Sequence, residues 1–243
     1  MHNLRPRLKA VAGDVAGRGF HDAIYDIGAD HAWLPISLVK SGACGYAVAT
    51  DISRKSADRA RRAALAEGVS DRLRVFVGDG FDAIPEILPG MPVIVMGIGG
   101  KNLIEIIKKG LDRARAAKPL ILQPMNNHEH LRAWLMDNSF SIAYERLAAE
   151  DNRIYSILFC EYAGAPQEYS AEEPYIGKRV VYEGAGDYIK FLRFVRLKLN
   201  NRYGGLKAAR GAESYAPCGE AERLAYLLLA IDHKIRDASV QNE

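Results

Sequence analysis

The fold is constrained most by a regular alternation of short apolar runs with amphipathic segments over the first two thirds of the chain. Five apolar runs predict strands at about residues 23–27, 46–50, 73–77, 93–96 and 120–122. Two β-rich runs, residues 140–147 and 154–162, come later and are joined by the polar sequence AAEDN. Continuous apolar strands separated by helices predict a parallel sheet covered by helices on both faces. The two last runs predict an antiparallel hairpin, so we expect an α/β fold with a seven-stranded mixed sheet.

The C-terminal part has a different pattern. After Gly164 the sequence becomes richer in proline and acidic residues, which predicts a connection over residues 166–186. Two apolar helical stripes follow within residues 187–243: Tyr188, Leu192, Val195, Leu199 and Tyr203, then Leu224, Leu228, Ile231 and Ile235. Gly204, Gly205, Gly211 and Pro217 are expected in the loop between them. This pattern predicts an α-helical coiled-coil hairpin after an α/β domain of residues 1–165.

Length, cysteine content and hydropathy exclude several classes of protein. With 243 residues, of which 49% are hydrophobic, the chain can form one sizeable core. Cys44, Cys160 and Cys218 lie far apart without zinc-site spacing, so we expect reduced thiols. His128 and His130 lack a third ligand, and no metal ion is expected. The absence of a signal sequence and of a membrane-spanning run predicts a cytoplasmic protein without membrane contacts.

Basic residues are concentrated in the first predicted helix of the hairpin. The whole chain has a formal net charge of only +3, but residues 187–210 contain seven basic residues and one acidic residue. Such a stripe suits a phosphate backbone, and it equally suits a solvated helix face. The charge pattern alone leaves both interpretations open.

Acidic residues and glycines stand at the ends of four predicted parallel strands. They are Asp26 and Gly28, then Asp51, then Asp79 and Gly80, and finally a glycine-rich loop at residues 97–100. In a doubly wound sheet these strand ends form the ligand site, where the strand order reverses. Asp51 lies 23 residues after Gly28, a spacing suited to a carboxylate that binds ribose hydroxyls. Each aspartate could also be an ordinary turn or capping residue.

The loop after the first strand lacks the glycines of a pyrophosphate-binding turn. That turn needs G-x-G-x-x-G because its N–H groups must close around two anionic phosphates. Here a single glycine, Gly28, lies between Asp26 and Asp30. Carboxylates repel phosphates but attract the sulfonium and ammonium groups of S-adenosylmethionine. The sequence therefore predicts S-adenosylmethionine as the cofactor rather than a nicotinamide dinucleotide, with Asp79 placed to accept from its adenine amino group.

Six short motifs of the chain resemble those of the bacterial TrmK family. They are DIGADHAWLP, ATDIS, GDG, MGIGG, LILQP and AAEDNRIYSIL, in order over about residues 4–162. Members of this family are tRNA (adenine-N1)-methyltransferases that act on nucleotide 22 of the D-arm. The resemblance implies a Rossmann-like class I methyltransferase domain, followed by a coiled-coil hairpin, with tRNA as partner. Two motifs depart from the family: MGIGG replaces AGMGG, and QPM, which ends at Met125, replaces QPN.

The strand-end pattern and the resemblance together predict the site residues. Residues expected to bind the cofactor are Asp26, Ile27, Gly28, Asp51, Ile52, Asp79, Gly80, Met96 and Gly97. Residues expected to contact the tRNA are Ile98, Gly99, Gly100, Asn126, Asn127, Arg193, Arg196 and Lys198. Asp30 and His31 are the predicted catalytic residues, although His31 could also be a packed structural histidine.

The expected target atom, adenine N1, carries a lone pair and no proton. Methyl transfer to it therefore needs orientation rather than a general base. We expect Asp30 to stabilise the positive charge that the base gains and to accept the N6 proton afterwards, with His31 as second candidate. The nucleotide must be flipped out or unpaired, since a paired stem hides N1.

Alternative functions remain open at the level of sequence. The chain could methylate another RNA, a small molecule or a protein, or it could bind the cofactor without catalysis. A nicotinamide-dependent oxidoreductase is a further alternative. We expect the chain to act as a monomer.

Overall fold

One mixed β-sheet forms the centre of the molecule in this computed structural model, which describes residues 4–210 and 218–240. The strands are β1 (His21–Ile27), β2 (Cys44–Asp51), β3 (Leu73–Val77), β4 (Val93–Ile98), β5 (Leu120–Pro124), β6 (Phe140–Glu150), β7 (Arg153–Tyr162) and β8 (Val180–Val181). The helices are α1 (Pro6–Gly17), α2 (Trp33–Lys40), α3 (Arg54–Ala66), α4 (Gly100–Lys109), α5 (Leu111–Ala116), α6 (His128–Asp137), α7 (Glu173–Ile176), α8 (Ala185–Arg210) and α9 (Cys218–Val240).

The strand order is β3-β2-β1-β4-β5-β7-β6-β8. Strands β1 to β5 pair in parallel, and the chain changes direction along the sheet between β1 and β4. Strand β7 runs antiparallel to both β5 and β6, which confirms the predicted hairpin. All seven predicted strands are present, and the structure adds an eighth, β8, which pairs with β6. The sequence missed β8 because a strand of two residues carries no periodic pattern.

Helices pack on both faces of the sheet, as predicted. On one face, α1, α2 and α3 cover an apolar cluster that contains Ile24, Ile94 and Ile121. On the other face, α4, α5 and α6 cover a cluster that contains Tyr25 and Leu122. Neighbouring residues of each central strand therefore point into different cores, which explains why these strands are apolar at nearly every position.

Both ends of α3 follow from the types of residue found there. The Ser53 side chain caps the helix, because its Oγ accepts a hydrogen bond from the Ser56 N–H at 3.3 Å. Gly68 follows the helix with a φ of +69°, a conformation that glycine adopts without steric cost. The cap places Asp51 and Ser53 in the short turn between β2 and α3.

Helices α8 and α9 form an antiparallel pair next to the antiparallel side of the sheet. Their common apolar cluster includes Leu147 of β6 and Ile176 of α7, together with Leu192, Val195, Leu199, Leu224, Leu227 and Ile231. Helix α8 continues through Gly204 and Gly205, which the sequence had placed in the loop. Packing of Tyr203 and Leu206 against the cluster outweighs the helix penalty of about 1 kcal/mol per glycine. Gly211 and Pro217 lie outside the described residues.

A buried ion pair joins the sheet to the segment predicted as a connection. The Arg132 and Glu145 side chains are each 1% exposed, with Nη2 and Oε2 2.7 Å apart. Arg132 Nη1 also donates to the Pro174 carbonyl at 2.9 Å. The connection is therefore attached to α6 and β6 through α7.

Cys44 and Cys160 are buried free thiols, as predicted, whereas the Cys218 side chain lies outside the described residues. No helix within residues 4–210 and 218–240 combines the length and the apolar character needed to cross a bilayer. In the same residues, no three His, Cys, Asp or Glu side chains are grouped as metal ligands would be.

Candidate cofactor and substrate site

A cavity of about 730 Å³ opens at the carboxyl ends of β1 and β4, where the strand order reverses. Six predicted site residues line it: Asp26, Gly28, Asp30, His31, Met96 and Gly97. Leu4, Arg5, Arg7 and Leu8, at the start of α1 and just before it, line it as well. The sequence does not reveal these four residues, because the periodicity of α1 indicates packing against a core and carries no signal for a ligand.

The loop after β1 folds back closely on β2. Gly28, Asp30 and Ala32 all have positive φ angles, of +76°, +46° and +56°. The Gly28 N–H donates to the Thr50 carbonyl at 2.8 Å. A Cβ at position 28 would lie 3.4 Å from Ile98 Cδ1 and would require a strained backbone. Glycine therefore allows this loop to pass between β2 and the loop that follows β4.

Asp26 is the more buried of the two carboxyl groups that line the cavity, with 6% exposure of the residue. Burial, with a smaller contribution from the charge of Asp51, raises the pKa of Asp26 to about 7. Its side chain has no hydrogen bond or ion pair with the described residues. The cavity thus contains a carboxyl group that a cationic ligand would neutralise.

Asp51 is held at the end of β2 by two backbone donors. Ser53 N–H donates to its Oδ1 at 2.8 Å, and Asp30 N–H donates to its Oδ2 at 3.2 Å. A carboxylate oxygen can accept more than one hydrogen bond, so both oxygens can still accept from a ligand hydroxyl. The neighbouring Ile52 is 73% exposed and presents apolar surface beside this carboxylate.

Asp79 and Gly80 follow β3 on the same edge of the sheet, outside the cavity lining. Asp79 Oδ2 lies 2.6 Å from Lys109 Nζ, and this hydrogen bond raises the pKa of Lys109. Gly80 has a φ of +56°, and a Cβ there would lie 3.3 Å from Ile106 Cγ2. No described residue bonds to Asp79 Oδ1, which leaves that oxygen as the acceptor for a ligand.

The two predicted catalytic residues lie side by side on the cavity wall. Asp30 pairs with Arg59 of α3. Burial opposes ionisation and is the largest single influence, but the hydrogen bond and charge of Arg59, with smaller contributions from His31 and Ser56, together outweigh it and hold the pKa of Asp30 below its usual range. Asp30 is therefore suited to stabilising a positive charge and is a weak proton acceptor. The His31 ring stacks on Trp33 with centroids 6.0 Å apart, and its Nε2 lies 3.8 Å from Asp30 Oδ2.

The glycine-rich loop after β4 packs directly on the segment after β5. Gly100 N–H donates to the Asn126 carbonyl at 3.0 Å. A Cβ at Gly99 would lie 2.9 Å from Asn126 Oδ1, and one at Gly100 would lie 2.6 Å from the Asn127 carbonyl oxygen. Gly100 is therefore required for this contact, whereas a side chain at position 99 would only displace the Asn126 side chain. The contact brings four predicted substrate residues together.

The structure shows what surrounds three positions that the sequence motifs single out. Ile27 is 2% exposed and packs in the core under α4 and α6, so only its backbone reaches the strand end. Met125, where the family has asparagine, accepts weak hydrogen bonds through Sδ from Arg7 Nη1 at 3.6 Å and from Gln123 Nε2 at 3.7 Å. Ile98 Cδ1 packs beside Gly28. Both departures from the family motifs thus make contacts at the rim of the cavity.

The three predicted hairpin cations lie outside the cavity and differ in their surroundings. Arg196 is paired with Asp232 of α9, with Nη2 and Oδ2 3.2 Å apart. Lys198 Nζ lies 4.7 Å from the centroid of the Phe194 ring. Arg193 is exposed and has no ion pair within the described part of the chain. Arg193 and Lys198 therefore present unneutralised charge, whereas the charge of Arg196 is neutralised.

A smaller second cavity lies between the start of α6 and α8, next to Lys198. His128, which directly follows Asn127, lines it. Burial, with the positive charges of Arg132 and Lys198, lowers the pKa of His128 to about 3. His128 is therefore neutral at physiological pH and contributes no charge towards a phosphate.

The residues of the main cavity, together with Asp51 beside it at the end of β2, fit a cationic nucleoside cofactor. Asp26 provides a buried carboxyl group without a cation, and Asp51 provides a carboxylate that backbone donors hold in place. The loop after β1 has one glycine where a pyrophosphate turn needs three. With the strand order and the antiparallel β7, this site defines a class I methyltransferase.

Comparison with known proteins gives the family. The model of the methyltransferase domain family matches residues 4–158. The chain is 30% identical over 158 residues to tRNA (adenine(22)-N(1))-methyltransferase of Bacillus subtilis, and the match covers 65% of each protein, just under two thirds. The chain therefore belongs to the methyltransferase domain family and, within it, to the TrmK family.

Two solved structures are similar over almost the whole chain. Streptococcus pneumoniae Sp1610 in complex with S-adenosyl-L-methionine is 26% identical, with a TM-score of 0.74, and the match covers 96% of this chain and 100% of that one. Bacillus subtilis TrmK is 24% identical, with a TM-score of 0.76, and the match covers 97% and 100%. Both matches extend over the C-terminal helices, so the hairpin belongs to the shared fold.

Proposed function

We propose that this protein transfers a methyl group from S-adenosylmethionine to N1 of an adenine in tRNA, with adenine 22 of the D-arm as the target. The observation that carries the proposal is the buried carboxyl group of Asp26, which has no cation partner among the described residues. Two relatives support the cofactor and the substrate. The Bacillus subtilis relative is named for adenine 22 of tRNA, and the Streptococcus pneumoniae structure contains S-adenosyl-L-methionine.

When bound, the cofactor supplies an electrophilic methyl group on a sulfonium centre. We assign Asp26 to the cationic methionine part, Asp51 to the ribose hydroxyls and Asp79 Oδ1 to the adenine. The backbones of Ile27, Gly28, Met96 and Gly97 would form the walls, and Gly80 would allow close approach. Ile52 would cover one face of the adenine.

The substrate side of the proposal rests on the glycine-rich loop. Ile98, Gly99 and Gly100, together with Asn126 and Asn127, would border the base, and the missing side chains would let it approach closely. The protein has to orient adenine N1 and does not have to deprotonate it. Asp30, which is kept ionised by Arg59, would stabilise the positive charge of the methylated base. Its low pKa makes Asp30 a weak acceptor for the N6 proton, and His31 remains the second candidate for that step.

The hairpin would place the body of the tRNA. Arg193 and Lys198 would make phosphate contacts that are independent of sequence, and Arg196 would contribute less because Asp232 neutralises it. We accordingly propose three units: the catalytic domain of residues 1–165, the connection of residues 166–186 and the tRNA-binding hairpin of residues 187–243. We further propose that the protein acts as a monomer in the cytoplasm, where tRNA is modified.

The test is transfer of labelled methyl groups to tRNA from a strain that lacks this protein, followed by mass spectrometry of the nucleosides. We expect N1-methyladenosine with the wild type and a large loss of it with Asp30→Asn. Asparagine tolerates the positive φ of this position, so the change removes charge without adding backbone strain. Asp22→Asn, at an exposed position of β1, is the matched control.

Other outcomes of the same experiment identify the alternatives. Methyl transfer to ribosomal RNA, to a protein fraction or to a small molecule, but not to tRNA, would replace the proposed substrate. Cofactor binding without any methylated product would indicate a binding protein without catalysis.

A further inference from the structure

Arg7, in the first turn of α1, connects three strands at the wall of the main cavity. Its Nη1 donates to Gln123 Oε1 at 2.8 Å, and its Nη2 donates to Glu150 Oε1 at 3.1 Å. The guanidinium carbon lies 4.3 Å from the centroid of the Tyr155 ring. The side chain is only 19% exposed. A single residue therefore attaches α1 to β5, β6 and β7.

Gln123 extends this connection to the loop that follows β4. Its side chain is fully buried, and its Oε1 accepts from the Gly97 N–H at 3.1 Å as well as from Arg7. The pairing of β4 with β5 is irregular between Met96 and Ile98, so Gly97 lies at a break in the strand ladder. The glutamine side chain supplies the acceptor that the ladder does not provide at this point.

The shared oxygen atom links two walls of one cavity. Arg7 and Gly97 both line the cavity, from α1 and from the β4 loop respectively. Glu150 fixes Arg7 from the opposite side, because it also accepts from the Arg7 backbone N–H at 3.2 Å. A displacement of α1 would therefore weaken the hydrogen bond that holds Gly97, which has a φ of +75°.

We propose that Arg7 is a positioning residue for methyl transfer: through Gln123 it fixes Gly97, and with it the loop that receives the target base. This inference rests on the proposed function. The guanidinium group is bonded to Gln123 and Glu150, so Arg7 acts through them and does not take part in bond making. Its loss should slow methyl transfer while cofactor and tRNA binding change little.

The test compares Arg7→Gln and Gln123→Leu with two other variants. Lys9→Gln is the matched control, because Lys9 is an exposed cation of the same turn of α1, lies outside the cavity lining and makes no bond to Gln123. Gln123→Glu keeps the oxygen that accepts from Arg7 and Gly97 and loses the Nε2 donor to the Pro124 carbonyl and Met125 Sδ. Arg7→Lys, which keeps the charge but cannot reach both partners, serves if Arg7→Gln does not fold.

We expect Arg7→Gln and Gln123→Leu to reduce the single-turnover rate of methyl transfer by roughly 30-fold, in line with the cost of a small misplacement of reacting groups. The Kd values for S-adenosylmethionine and tRNA should change far less, by about threefold at most, since the Arg7 guanidinium is engaged by Gln123 and Glu150. Gln123→Glu should be much faster than Gln123→Leu, and Lys9→Gln should stay close to the wild-type rate. The double variant Arg7→Gln, Gln123→Leu should be no slower than Gln123→Leu, because both changes remove the same connection.

Amide hydrogen exchange at Gly97 provides a readout that needs no substrate. Exchange should become faster in Arg7→Gln and Gln123→Leu and remain unchanged in Lys9→Gln. The inference would be overturned if Arg7→Gln and Gln123→Leu transfer methyl groups as fast as Lys9→Gln, if the effects add in the double variant, or if Gly97 exchange is unchanged. If the wild type methylates no tRNA, the proposed function fails, and Gly97 exchange still decides whether Arg7 holds this loop.

Discussion

The cofactor edge of the sheet and the hairpin differ in whether their charged side chains are paired with opposite charges. At the edge, Asp26 and Asp51 carry carboxyl groups close together, and no cation among the described residues pairs with Asp26. In the hairpin, Arg196 and Arg202 are paired with acidic residues of α9, so two of the seven basic residues of α8 are neutralised inside the helix pair. The number of charges is therefore a poor guide to a binding site. The charges that the fold leaves unpaired are the better guide.

The largest effect is expected between the two regions, at the buried Arg132–Glu145 pair, which joins the sheet to the connection that precedes the hairpin. Arg132→Met leaves an uncompensated buried carboxylate and should lower the free energy of unfolding by about 3–5 kcal/mol. Urea denaturation measures this change in the free energy of unfolding. Arg115→Met, which removes a surface pair with Asp112, should cost less than about 1 kcal/mol. If Arg132→Met is as stable as that control, the pair does not hold the connection on the sheet.

Asp26→Asn tests the unpaired charge at the edge. The carboxylate should be the main partner of the cationic cofactor, so the change should weaken S-adenosylmethionine binding by roughly 10- to 100-fold, the effect of losing a charge-assisted hydrogen bond. Calorimetry measures the Kd, with Asp22→Asn as control. Wild-type affinity in Asp26→Asn would show that the cofactor does not use this carboxylate.

The pH dependence of folding stability provides a second test of the Asp26 carboxyl group. Burial and the charge of Asp51 raise the pKa of Asp26 from 3.8 to about 7, so the folded protein holds this proton more tightly than the unfolded chain. Its stabilising contribution is complete below about pH 4 and is lost as the pH rises through about 7. Relative to Asp26→Asn, the wild type should therefore become less stable between pH 5 and pH 8.

Cofactor binding should change with pH in the opposite direction. Because the cationic cofactor needs ionised Asp26, its affinity should fall by up to about tenfold for each pH unit below the pKa. Calorimetry at pH 6 and pH 8 measures the change. The Asp26→Asn protein should lack this dependence, and an equal dependence in both proteins would assign it to another group.

The smallest effects are expected in the hairpin. Arg193→Gln and Lys198→Gln should each weaken tRNA binding about threefold and reduce the salt dependence of the affinity by about one counterion. Arg196→Gln combined with Asp232→Asn removes a neutral pair and should leave the affinity unchanged. Filter binding at several salt concentrations measures all three. Equal losses in the three proteins would contradict the distinction between paired and unpaired cations.

The parts of the fold that could be predicted have local causes. The apolar runs of β1 to β5 and the Ser53 cap depend on neighbouring residues, so periodicity and residue type reveal them. Strand β8 was missed because two residues have no period. The passage of α8 through Gly204 and Gly205 was missed because packing on α9 overrides the local preference of glycine.

The residues of the candidate site likewise fall into those that local sequence reveals and those that only folding brings together. Aspartates and glycines at strand ends could be recognised, since parallel strands bring their carboxyl ends to one edge. The contribution of α1 could not, because Arg7 and Gln123 are 116 residues apart and only folding brings them together. The same holds for Arg196 and Asp232, which are 36 residues apart.

By itself, the sequence determined the order of strands and helices and the acidic character of the cofactor edge, because both follow from the periodicity and identity of neighbouring residues. Tertiary structure decided which charges remain available. Asp26 stays without a cation, Arg59 holds Asp30 ionised and Asp232 neutralises Arg196. The reason is physical: ionisation and pairing depend on burial and on partners that are distant in the chain, and no local pattern encodes either.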